Sequence, residues 1–230
     1  MERFERTEIL FGKENMSKLY NAHILLVGVG GVGGYTCEML ARAGVGKITI
    51  VDYDVVSKTN INRQIIALSN TVGMPKVDVM KQRVLEINPN CTVVSYNKKF
   101  DQDFAEELFK TKFNFVIDAI DDLENKVILV KEAKKRNVEI ISAMGAGNRT
   151  GVPSFKIADV YKTHTDGLAK KFRKMLRDEG IENLTVAFSE EKPQVVGRNF
   201  EEKVIGSTSY SPAMCGCTIS AYVINKIIEA

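Results

Sequence analysis

The segment Gly28-Val29-Gly30-Gly31-Val32-Gly33-Gly34 carries the spacing G-x-G-x-x-G. Glycines at this spacing permit a tight turn and let backbone amides approach a polyphosphate, and a helix opening directly after them adds a dipole that favours anions. Gly28, Gly30, Gly31 and Gly33 are therefore candidate nucleotide-binding positions. Asp52 lies 19 residues beyond Gly33 at the end of the next apolar run, where a carboxylate can accept hydrogen bonds from ribose hydroxyls. Taken alone, these residues say only "nucleotide", and NAD is the first guess.

The stretch that begins at Asp52 points away from hydride transfer. Asp52-Tyr53-Asp54-Val55-Val56-Ser57-Lys58-Thr59-Asn60-Ile61-Asn62-Arg63-Gln64 is polar and rich in donors, which suits a segment facing ligand or solvent. Arg63 offers a planar fork for phosphate oxygens, and Asn60 can reach a ribose or a phosphate. Gly73-Met74-Pro75-Lys76 puts a lysine at a helix start, where a cation opposes the helix dipole, so an anionic partner for Lys76 is expected. Asp118, Asp121 and Asp122 gather after a further apolar run. Carboxylates near a polyphosphate suggest a magnesium site, with Asp121 the expected ligand and Asp118 its support. His23 begins an apolar run and His164 sits beside a basic segment. Neither is placed like the acid or base that a dehydrogenase often needs.

These residues need elements to hold them. Apolar runs predict strands at 23–28, 47–52, 92–96, 113–119 and 138–143, and helical periodicity predicts helices at 33–43, 76–87 and 124–136. Alternating strand and helix is the pattern of a parallel sheet covered on both faces. The fold class is thus α/β, Rossmann-like and doubly wound, with a mainly parallel sheet. After residue 150 the rhythm changes: strands at 154–160 and 184–188, a basic helix at 166–179, a charge-rich loop, and a last helix at 213–229. We read one domain over residues 1–230, with a core at about 20–150 and a C-terminal extension at about 151–230.

The 230 residues are 44% hydrophobic and 27% charged, enough for a sizeable core and unlike a disordered chain. No apolar run nears the roughly 20 residues of a membrane span. The charged start Met1-Glu2-Arg3-Phe4-Glu5-Arg6 is unlike a signal peptide, so a reduced, cytoplasmic protein is expected. Four cysteines without a Cys-x-x-Cys pair argue against structural zinc. Cys215-Gly216-Cys217, on the last helix, reads as packing. The net charge of +3 is too mild to argue for nucleic acid from totals.

The chain resembles the ubiquitin-activating-enzyme-like (ThiF/MoeB-type) adenylyltransferase superfamily. The resemblance lies in Arg3-Phe4-Glu5-Arg6, Gly28 to Gly34, Asp52-Tyr53-Asp54, Asn60-Ile61-Asn62-Arg63-Gln64, Gly73-Met74-Pro75-Lys76 and Asp118-Ala119-Ile120-Asp121-Asp122. It implies ATP and magnesium (Mg2+), and attack of a carboxylate on the α-phosphate to give an acyl-adenylate and pyrophosphate. It further implies that Asp52 holds the ribose with Asn60 nearby, that Asp54 belongs to the nucleotide site, that Arg63 and Lys76 grip phosphates, and that Asp121 holds magnesium. Arg6 is expected to enter the ATP site of a second copy, hence a homodimer.

Within that superfamily the whole chain is most similar to the tRNA threonylcarbamoyladenosine dehydratases. Ala143-Met144-Gly145-Ala146-Gly147, Asp166-Gly167-Leu168-Ala169-Lys170 and Gly206-Ser207-Thr208-Ser209-Tyr210-Ser211-Pro212 carry the likeness. It implies a tRNA substrate whose threonyl carboxylate is adenylated and then attacked from within the same group. Such an attack benefits from high effective molarity and requires no cysteine nucleophile. Some members carry a cysteine shortly before the glycine matching Gly206, whereas here none lies between Cys91 and Cys215. A tRNA also gives a role to the stretch from Lys162 to Arg177, with six basic residues against one acid. There Leu168, Phe172, Met175 and Leu176 would pack, and Lys170, Lys171, Arg173, Lys174 and Arg177 would face a phosphate backbone. A sulfur-transfer or redox protein is a further partner to consider. The rival readings are an activator of a ubiquitin-like sulfur carrier and a non-catalytic nucleotide-binding module.

Overall fold

A computed structural model describes residues 2–194 and 205–230; part of the charge-rich loop, 195–204, lies outside them. Seven strands form one sheet: β1 (His23–Val27), β2 (Lys47–Asp52), β3 (Thr92–Asn97), β4 (Phe115–Asp118), β5 (Glu139–Ala143), β6 (Lys156–Asp159) and β7 (Thr185–Phe188). Their order is β3-β2-β1-β4-β5-β7-β6. All neighbours are parallel except β6, which runs antiparallel to β7. The chain builds outward from β1 to β3 and then crosses back to β4. The β1–β4 boundary is therefore the switch point at whose C-terminal edge ligands bind in such sheets.

Both faces of the sheet are buried, which is why its strands read as apolar runs without alternation. Ile24, Leu26, Ile48, Ile50, Ile117 and Ile141 point into one core, under α2 (Gly31–Ala43), α3 (Lys76–Ile87) and α7 (Ser211–Glu229). Leu25, Val27, Val51, Val116 and Ile140 point into the other, under α4 (Gln102–Leu108), α5 (Leu123–Lys135) and α6 (Gly167–Asp178). The last helix packs on α2 so closely that a Cβ at Gly216 would stand 2.6 Å from the Val32 carbonyl oxygen. The segment after residue 150 thus contributes two strands to the sheet and a helix to its main core.

Two helices have no counterpart in the sequence pattern, the longer being α1 (Glu5–Asn21). Gly12, at φ 78°, breaks it into two short pieces, and only Met16 and Leu19 of its residues are buried, so no continuous apolar stripe exists to be seen. The short α4 likewise falls outside the predicted elements; Asp101 starts it by accepting a hydrogen bond from the Phe104 amide.

Candidate active site

Gly28 follows β1 with φ +94°, and a Cβ there would lie 2.5 Å from the Ala119 carbonyl oxygen. At Gly33 a Cβ would meet the Gly28 carbonyl oxygen at 1.9 Å. These two positions hold the turn against β4 and seat α2 on it, so both need glycine for steric reasons. Gly30 caps α2 in extended conformation and leaves the first amides of the helix facing the cleft.

That cleft, of about 620 Å³, runs along the C-terminal edge of β1, β2, β4 and β5. One end is formed by the glycine loop, Asp52, Asp54, Asn60, Arg63 and Lys76. The Asp52 carboxylate ties loop to strand, accepting from the Val29 amide at 2.6 Å and the Asp54 amide at 2.8 Å. Asn60 accepts from the Ser57 amide through its side-chain oxygen, which closes the short 3-10 turn 58–60. Arg63 donates to the Thr59 carbonyl and to Asn62 Oδ1. Lys76 does sit at the start of its helix, and its partner here is Asp54, with Nζ 2.6 Å from Oδ2. The lysine side chain is 7% exposed and the aspartate 49%, so the pair has a dry end and a wet end.

The three aspartates after β4 separate by role. Asp118 is fully buried and pairs with the equally buried Lys126 at 3.0 Å. Lys126 also donates to the Ile120 and Ala143 carbonyls, so this pair locks the ends of β4 and β5 below the cleft. Asp122 caps α5 by accepting from the Asn125 amide. Asp121 and Asp122 are both exposed on the cleft wall, and among the described residues Asp121 has no hydrogen-bond or ion-pair partner. The Tyr53 hydroxyl registers the local field: its pKa is raised, first by the charge of Asp54, then by burial, and further by Asp121, Asp52 and Asp122. No group of three or more metal-ligating side chains occurs among the described residues. A magnesium ion would find here one or two carboxylates at most, the number such an ion takes when phosphates complete its shell.

The other end of the cleft is formed by residues 143–149, the start of α6, and Pro193, Ile205, Ser207 and Pro212. Sequence reasoning found no role for Arg149, yet it is 2% exposed and lies 3.2 Å from Asp166 Oδ2. Nothing local announces this pair.

Of the basic residues on α6, Lys170, Lys171, Lys174 and Arg177 are exposed. Arg173 is turned back onto the carbonyl and hydroxyl of Thr163, and Arg177 stacks on the Tyr161 ring at 5.0 Å. Ala169, Phe172 and Leu176 are buried, so the expected division into packed and charged faces holds, with the two arginines at its margins. Arg6 lies on α1, exposed and outside the cleft.

None of the cysteines is poised as a nucleophile. Burial pushes the Cys215 thiol up to about 12 and Cys91 up to about 11, and it raises Cys37 and Cys217 as well.

A mainly parallel sheet with a glycine loop at its switch point, an aspartate closing β2 and a cleft lined by Arg63 and Lys76 defines a Rossmann-like α/β protein. Within that class the chain belongs to the ThiF family, whose model matches residues 4–230. The tRNA threonylcarbamoyladenosine dehydratase of Bacillus subtilis is 40% identical over 243 residues, covering 100% of this chain and 96% of that one. The enzyme of that name from Haemophilus influenzae is 38% identical over 77% of this chain and 68% of its own. The crystal structure of E. coli tRNA N6-threonylcarbamoyladenosine dehydratase in complex with ATP superposes with a TM-score of 0.92, at 32% identity, over 99% of this chain and 94% of that one.

Proposed function

We propose that this protein is an ATP-dependent dehydratase acting on threonylcarbamoyladenosine in tRNA. The observation that carries the reading is the end-to-end likeness to the Bacillus subtilis enzyme, in a chain whose cleft has the glycine loop, Arg63 and Lys76 at one end and extends to residues 143–149 at the other. The threonyl carboxylate attacks the α-phosphate of ATP, an acyl-adenylate forms and pyrophosphate leaves. The carbamoyl group of the same nucleoside then attacks the activated carbonyl carbon, the bond to AMP breaks, and a ring closes. The oxygen lost from the carboxylate departs on AMP, so the net loss from the nucleoside is one water.

This chain's residues have distinct tasks in the reading. The amides of Gly30 and Gly31 and the opening turn of α2 receive phosphate oxygens. Asp52, already holding the loop, faces the ribose with Asn60 beside it. Arg63 gives up its local contacts to bind phosphate, and Lys76 moves between Asp54 and the charge developing in transfer. Asp121 would hold a magnesium ion, which would screen phosphate charge when bound. Lys170, Lys171 and Lys174, flanked by Arg173 and Arg177, bear the tRNA backbone.

Two copies complete the enzyme. Ile9 and Leu10 on α1 are 76% and 81% exposed, and Tyr53, Val55 and Leu68 are each more than half exposed. Apolar surface of this kind marks an interface, and a homodimer that covers it would bring Arg6 to the partner's phosphates. We treat residues 1–230 as one functional unit, since β6 and β7 extend the sheet and α7 packs into its main core. Among the described residues no helix is long and apolar enough to cross a membrane, and we place the protein in the cytoplasm with its tRNA.

The test is incubation of the purified protein with ATP, magnesium and tRNA either carrying or lacking threonylcarbamoyladenosine. Pyrophosphate release and a nucleoside lighter by one water are expected only with the modified tRNA. Release that requires a carrier protein instead of tRNA would overturn the assignment.

A further inference from the structure

We infer that the buried Arg149–Asp166 pair is a positioning device that sets the distance between the RNA-bearing helix and the acyl-adenylate, and so keeps ring closure ahead of hydrolysis. The inference rests on the dehydratase reading. It begins with the cost of the arrangement. A buried ion pair is seldom more stabilising than apolar residues of the same volume, so Arg149 and Asp166, at 2% and 4% exposure, are poorly explained as mere ballast.

What they do is join three stretches distant in sequence. Arg149 donates from Nε to the Gly145 carbonyl at 2.9 Å, from one terminal nitrogen to the Glu191 carbonyl, and from the other to Asp166 Oδ2 at 3.2 Å. Asp166 in turn accepts from the Gly145 amide at 2.9 Å through Oδ2 and from the Ala169 amide at 2.9 Å through Oδ1. The second of these bonds is the N-cap of α6. The wall after β5, the segment after β7 and the first turn of the basic helix are thus fastened at one buried point. Each nitrogen of the guanidinium bonds to the protein and the side chain is 2% exposed, which gives Arg149 a positioning role.

The same wall is fixed on its outer side. Asn148, in left-handed conformation at φ 56°, donates its amide to the Gly206 carbonyl and accepts from the Gln194 amide. A Cβ at Gly147 would lie 2.4 Å from Ile205. The wall is thus tied to its neighbours on several sides, and the Arg149–Asp166 pair is the connection that links it to the first turn of α6.

Ring closure gains its speed from placement, and a displacement of about 1 Å costs on the order of 100-fold. The competing fate of the acyl-adenylate is attack by water, which returns the starting nucleoside and releases AMP. If α6 holds the RNA while the glycine loop holds the adenylate, loosening their connection should slow cyclisation more than adenylation. Consumed ATP would then exceed product.

The experiment uses the full-length protein with modified tRNA, ATP and magnesium, and reads AMP and cyclised nucleoside in the same reaction. Wild type should give about one AMP per ring, Arg149→Met several, with ATP affinity within about two-fold of wild type, and Arg149→Lys should recover part of the coupling. Asp166→Asn, which keeps an oxygen for the cap and loses the charge, should also uncouple and decides the matter if Arg149→Met does not fold. A purely structural role lowers both products together and leaves the ratio near one in each folded variant, which overturns the inference. Wild type that makes no AMP with modified tRNA removes the dehydratase reading and this inference with it.

Discussion

Arg63 and Lys76 face the same cleft yet are held differently, and their replacement should reveal it. Arg63 keeps only exposed local contacts, so Arg63→Ala should leave folding and stability near wild type. Its adenylation rate should fall on the order of 100-fold or more, as loss of a charged group stabilising transfer does. Lys76 is buried and paired with the half-exposed Asp54, and Lys76→Ala should cost both rate and some stability, because it removes a packed, buried side chain. Pyrophosphate release and thermal melting on the two variants check both statements; near-normal adenylation in both would end the ATP assignment. Asp121→Asn, at a carboxylate with no described partner, should melt like wild type but need more magnesium for half-maximal rate. His23 belongs to stability alone. Burial, then the charge of Lys47, lowers its pKa to about 4, while its ring nitrogen shares a hydrogen bond with Thr49. The unfolded chain takes up this proton near its ordinary value of about 6.5 and the native chain near 4. Acid therefore favours unfolding between those values, and the effect levels off below. Melting curves across that window should fall less for His23→Gln than for wild type.

At the scale of elements, the sequence makes legible what the chain builds from neighbours. The strand, glycine turn and helix over residues 23–43 are one contiguous unit whose periodicity and glycines are all local, and they form as expected. The final helix is legible as well, though not the reason for Gly216, which is close approach to α2 across the core. Arg149 is illegible because its partners Asp166 and Glu191 lie 17 and 42 residues away, on loops with no periodicity to follow. Asp118 shows the converse: its type and position invite a role beside the metal, but its partner Lys126, on a helix face that looks solvated, makes it a buried brace. The basic helix is amphipathic as its sequence predicts, and its function can be separated from the chemistry. Replacing Lys170, Lys171 and Lys174 with glutamine should weaken tRNA binding and flatten its dependence on salt. Every phosphate that the variant no longer neutralises should change the slope by about 0.7 to 0.9. ATP affinity should stay put. Equal slopes for wild type and variant would mean that tRNA lies elsewhere.

The whole molecule poses the question of where one active site ends and the next begins. The cleft of a single chain contains Arg63 and Lys76, while Arg6 sits outside it on a kinked helix whose Ile9 and Leu10 face outward. If the proposed homodimer places Arg6 in the partner's cleft, each active site draws Arg63 from one chain and Arg6 from the other. Arg6→Ala and Arg63→Ala should then each be inactive as pure proteins and regain activity when mixed and allowed to exchange subunits. In the mixed dimer one site lacks both arginines and the other has both, so random pairing should restore about a quarter of wild-type activity. An Arg6 acting within its own chain makes the opposite forecast, since every site would then lack one arginine whatever the pairing. Sedimentation at the assay concentration shows whether dimers are present. The mixing experiment shows whether they share their active sites, and a failure to recover activity from exchanging dimers would confine Arg6 to an interface role.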